Sequence, residues 1–186
     1  MAYLGRWTLA VLLSCCAFAD VRAQPPQVNP DAKVLQDYQE RIKKYLEIHK
    51  KADVPKMKET KDPADIKQAQ EALAAAVRAA RPNAKQGEIF TPEITKKLRS
   101  LMNPEVKGPG TKETRQAIKE DQPAGVPLKV NARYPDDQPL PTVPPNVLAS
   151  LPKLPEQLEY RIVGTSLILR DVPANLIVDF IPGAIR

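Results

Sequence analysis

The chain contains one histidine, His49, and so one side chain suited to moving a proton near neutral pH or to offering a ring nitrogen to a metal. Lys50 and Lys51 follow it directly, and their charge disfavours both roles. His49 therefore reads as the end of an amphipathic stripe. Three carboxylate pairs stand in the sequence: Asp136 with Asp137, Glu156 with Glu159, and Asp171 with Asp179. Acid–base hydrolysis needs two carboxylates held across a cleft, one with a raised pKa. Asp136 and Asp137, just ahead of Gln138-Pro139, suit a polar turn instead. Asp171 suits a turn closed by its own side chain over Pro173-Ala174-Asn175. Ser100, Ser150 and Ser166 lie in no nucleophile elbow, and one histidine is poor material for a serine triad. No catalytic residue, metal site or cofactor is expected. An enzyme using Asp171 or Asp179 with Glu159 is the alternative.

Cations are the more plentiful resource, at 28 Lys+Arg against 22 Asp+Glu. Lys43, Lys44, Lys50, Lys51, Lys56, Lys58 and Lys61 fall in one stretch, opposed only by Glu47, Asp53 and Glu59. Such a cluster suits an anionic surface: lipid headgroups, phosphate-bearing envelope polymers or an acidic partner protein. Nucleic acid fits poorly, because base reading draws on arginine forks, of which this stretch has none, and on stacking aromatics, of which it has only Tyr45.

Residues 1–23 have the anatomy of an export signal: a basic Arg6, an apolar run from Thr8 to Ala19, and Val21-Arg22-Ala23 as a small-residue cleavage pattern. The run is too short to span a bilayer, and nothing later approaches ~18 consecutive apolar residues. Cleavage near Ala23/Gln24, for a periplasmic or secreted destination, removes Trp7, Cys15 and Cys16. Lipid attachment at Cys15 is less favoured, since Leu13 is bulky where a small residue is usual before Ser14-Cys15. Without cysteine, the remaining chain cannot be a disulfide scaffold, a thiol enzyme or a cysteine zinc site. It keeps all 20 prolines and few aromatics, so its core must be largely aliphatic.

Three blocks must do the positioning. Over 24–121 the pattern is helical. Leu35, Tyr38, Ile42, Tyr45 and His49 recur at alternating spacings of three and four within 31–51. A second helix over 63–81 has Asp62 as N-cap, Pro63 at its first position and a stripe of Ile66, Ala69, Leu73, Ala76, Val77 and Ala80. The two similar lengths favour an antiparallel hairpin. A third helix opens at Thr91-Pro92 with Phe90 as a staple, buries Ile94, Leu98, Leu101 and Met102, and should stop at Asn103-Pro104. Thr111 to Asp121 suits a short fourth. Over 122–157, nine prolines between Pro123 and Pro155 preclude long helices and central strands. One strand fits from Leu128 to Tyr134, and one or two helical turns from Pro145 to Leu151. Over 158–186, Leu158 to Val163 and Ser166 to Val172 form a hairpin across Gly164-Thr165, with glycine at the first position of a type II′ turn. That register sets Ile162 opposite Leu167, Tyr160 opposite Leu169 and Glu159 opposite Arg170. Leu176 to Ile181 adds a third strand.

The expected fold is α+β: an N-terminal helical hairpin with short helices, a Pro-rich connector and a small C-terminal antiparallel β-meander. The stretches from Ala72 to Arg81, from Gly87 to Glu93 and from Tyr160 to Phe180 resemble an uncharacterised family of exported bacterial proteins with no assigned activity. The resemblance spans about Tyr38 to Ile185 and implies a bacterial source and a periplasmic or extracellular setting. The expected function is that of an exported, non-enzymatic envelope protein binding an anionic envelope component or a partner protein. A carboxylate-based hydrolase and a structural accessory to assembly are the alternatives.

Overall fold

The structure is a computed structural model and describes residues 29–52, 62–108, 111–120, 122–123 and 125–185. Residues 1–23, expected to be an export signal, with Cys15, and Lys56, Lys58 and Lys61 lie outside the described residues. In order along the chain come α1 (Pro30–Lys51), α2 (Pro63–Ala80), α3 (Pro92–Lys107), α4 (Lys112–Glu120), α5 (Pro145–Ser150), β1 (Leu158–Val163), β2 (Ser166–Asp171) and β3 (Leu176–Ile181). The strands form an antiparallel meander in the order β1-β2-β3, so the fold is α+β as expected. No described helix is long and apolar enough to cross a membrane.

The first three helices begin where a polar side chain meets a proline. Asn29 Oδ1 accepts from Asp31 N (3.0 Å), Asp62 Oδ1 from Ala64 N (2.9 Å) and Thr91 Oγ1 from Ile94 N (3.4 Å). Each bond satisfies a donor that the helix itself cannot, while the proline has no such donor to lose. Tyr38, Ile42 and Tyr45 form the buried side of α1. On α2 the buried residues are Val77 and Ala74, one position off the expected stripe, and Leu73 is only half-buried. α1 contacts both α2 and α3.

α3 does not stop at Asn103-Pro104. It continues to Lys107 with Pro104 inside it. Proline removes one helical hydrogen bond, and burial of Val106 in the added turn offsets that loss. The helix ends at Gly108, whose N–H donates to Pro104 O (3.2 Å). A Cβ there would lie 2.4 Å from the same oxygen, so the cap requires glycine.

The segment from Leu128 to Tyr134 is not the strand its alternation suggested. Asn131 is left-handed (φ 62°), which breaks the pleat in mid-segment. Residues 131–134 nonetheless hold the outer edge of β3. Asn131 N donates to Ile177 O (2.8 Å), Ile177 N to Ala132 O (2.9 Å) and Tyr134 N to Asn175 O (3.1 Å).

The hairpin has the expected register, including Glu159 opposite Arg170. Gly164 takes φ 62° while Thr165 has no positive φ, the signature of a type II′ turn. Between β2 and β3 the pairing jumps from Leu169↔Asp179 to Arg170↔Ile177, so Val178 is the extra residue of a bulge. The bulge puts Asp179 on the face it shares with Leu169, toward the helices.

That face carries Ile162, Leu167, Leu169 and Val178 against Tyr38 and Tyr45 of α1 and Leu98 and Met102 of α3. Val163, Ile168 and Ile177 on the other face pack under Tyr134, Val126, Leu128 and Leu140 of the connector. Helical and β parts therefore share one core, with the Pro-rich segment as the second cover of the sheet.

Candidate anion-binding site

Asp171, Asp179 and Glu159, the carboxylates of the enzymatic alternative, are each held by hydrogen bonds within the fold. Asp179, with no exposed surface, accepts from Gly87 N (2.9 Å), Ile89 N (2.8 Å) and Phe90 N (2.8 Å). It clamps the loop that leads into α3. Asp171, equally buried, closes its turn through Ala174 N (2.9 Å), as the sequence suggested. Its other oxygen accepts from the Tyr45 hydroxyl (2.5 Å) and also faces His49 Nε2. His49 thus sits at the end of the α1 stripe and ties it to β2. Burial, followed by the charge of Asp171 and its hydrogen bond, pushes the Tyr45 phenol far above its ordinary value. Arg81, also buried, stacks over the Tyr45 ring at 5.1 Å and pairs with Glu88 at 2.8 Å. Glu159 is bonded to Arg161 and Arg170, each at 2.6 Å. Burial pushes its pKa up, but the two guanidinium groups outweigh that and leave it lowered. A carboxylate committed in this way acts as a clamp. Among the described residues no group of three or more His, Cys, Asp or Glu is placed to hold a metal.

The lysines singled out by density are spread thinly. Lys43, Lys44, Lys50 and Lys51 are exposed along α1, and Lys50 is paired with Glu47 at 3.3 Å. Among the described residues they line none of the principal clefts.

A different set of cations converges where α3, α4 and the C-terminal end of the chain meet. One cleft of about 390 Å³ carries Arg99 and Lys107 beside Pro182 and Gly183. It shares Lys107 with a slot of about 340 Å³, whose apolar walls are Val106, Ile118 and Ile185 and whose rim carries Arg115 and Lys119. Those two cations also border a third cleft, of about 320 Å³, with Lys112. The three clefts thus form one strip with five cations and, among the described residues, no lining carboxylate. Arg99 donates to Pro182 O (2.7 Å), but its buried Nε has no partner among the described residues. The tip of the β1–β2 hairpin, Gly164-Thr165, closes one side of the slot.

Local sequence explains the placement. Lys112, Arg115 and Lys119 stand at i, i+3 and i+7, which is one face of α4. Ile118 faces inward and anchors that helix. Lys107 is reached only because α3 runs past Pro104. The larger groove beside α5, about 700 Å³, is less charged: Glu159 and Arg161 in it neutralise each other, and Lys153 remains. The chain matches no protein-family model, no curated protein and no solved structure.

Proposed function

We propose that the protein is an exported, non-enzymatic binding protein for an anionic component of the cell envelope, held on the strip between α3, α4 and the C-terminal end. One observation carries this reading: five cations line three joined clefts that no described carboxylate lines. Several other buried or half-buried cations are paired with carboxylates, as Arg81 is with Glu88, Lys97 with Asp31, and Arg161 and Arg170 with Glu159. A strip of one sign concentrates an oppositely charged ligand before any contact forms. The export signal and the family resemblance supply the setting.

Co-sedimentation with anionic lipid vesicles, at low salt and at roughly 0.5 M salt, tests the reading. Binding at low salt and its loss at high salt are expected, because four of the five cations, all but Arg99, are exposed and screened. Equal binding to neutral vesicles contradicts the reading.

A further inference from the structure

The cationic strip is not uniformly polar. Its middle compartment is floored by Val106, Ile118 and Ile185, and the charges stand at the mouth. Val106 and Ile118 are buried in the protein core on their other sides, so the apolar floor is rigid rather than a loose surface patch. Lys107, Arg115 and Lys119 are all exposed, which places their charged ends in water and their stems along the slot wall. A hydrophilic polyanion would satisfy the charges and leave the floor wetted. A neutral apolar ligand would fill the floor and leave the charges without partners.

We infer that the slot takes one acyl chain of a membrane lipid, with the anionic headgroup between Lys107, Arg115 and Lys119. This rests on the reading of the strip as an anion site and adds the apolar half of the ligand. Size agrees with a single chain. At about 340 Å³ the slot lies at the lower end of the ~300–1,000 Å³ range of small-molecule sites, too small for a sterol or for two chains together. Arg99, one cleft away and next to Pro182, extends the headgroup side of the site. Thr165, exposed at the hairpin turn, lines the slot and is the position from which a large side chain would plug it without entering the core.

Calorimetric titration of the full-length protein lacking its export signal with hexyl, octyl and decyl phosphate, and with inorganic phosphate, provides the test. Affinity should rise with chain length by about fourfold per buried methylene until the slot is full. T165W should bring decyl phosphate down to the affinity of hexyl phosphate, with an unchanged circular dichroism spectrum. R115E/K119E should weaken every alkyl phosphate at least tenfold. If hexyl and decyl phosphate bind equally and T165W changes nothing, the acyl slot is wrong while the anion site stands. If neither the alkyl phosphates nor anionic vesicles bind, both are wrong.

Discussion

Asp179 shows how much one side chain can hold. Its carboxylate is the partner of three backbone N–H groups from a loop some ninety positions earlier, and no local pattern announces such a pairing. The same is true of Tyr45 and His49 meeting Asp171, more than a hundred positions away. The sequence did reveal that Asp171 closes a turn, because that bond spans only three residues. Asp179→Ala would strand donors that are mostly buried, each costing ~1–3 kcal/mol, so urea unfolding should show a loss of roughly 3 kcal/mol or more. A loss under about 1 kcal/mol would count against the clamp.

The tyrosines give a pH test at the same scale. Burial raises Tyr38, Tyr45 and Tyr160 well above 10.0; neighbouring groups add to this at Tyr38 and Tyr45, while the hydrogen bond with Tyr38 works against it at Tyr160. A phenol raised in the folded state contributes stability that is complete below its unfolded value near 10 and is lost as pH climbs toward the folded value. Alkaline titration followed at 295 nm should therefore show these phenols ionising together with the loss of far-UV circular dichroism. Tyrosinate appearing near pH 10 in a fully folded protein would contradict their burial.

Elements bounded by short-range chemistry were readable in advance. Asp62 and Thr91 cap the helices they precede, and Gly164 sets the hairpin whose register follows from counting outward. Two boundaries were not, because tertiary contacts decided them. Val106 draws α3 past Pro104, and Asn131 bends the connector where alternation alone suggests a strand. At the end of α3, Gly108→Ala places a Cβ against the Pro104 oxygen and should lower thermal stability. Pro104→Ala restores a donor to the helix and should raise stability by about 1 kcal/mol or more. Thermal melts check both, and a destabilised Pro104→Ala protein would contradict the cost assigned to the ring.

At the scale of the whole molecule, charge density along the chain points to a different face from the one where the clefts gather cations. The Lys43–Lys61 stretch is the densest run of lysine, yet its described members line none of the principal clefts. The strip joins Arg99 and Lys107 from α3 to Lys112, Arg115 and Lys119 from α4, residues whose local sequence also contains Glu105, Glu113 and Glu120. Folding turns the cations to one side. The spacing of three and four within α4 was the available sign, but Lys107 and the slot floor depend on how α3 ends and where Ile185 lies. The central claim is that this strip, and not the α1 lysines, meets the anionic ligand. Binding of K43E/K44E and R115E/K119E proteins to anionic vesicles at low salt compares the two faces directly, since each pair reverses two exposed charges. The account predicts near-unchanged binding for K43E/K44E and at least a tenfold loss for R115E/K119E, and the reverse ranking would contradict it.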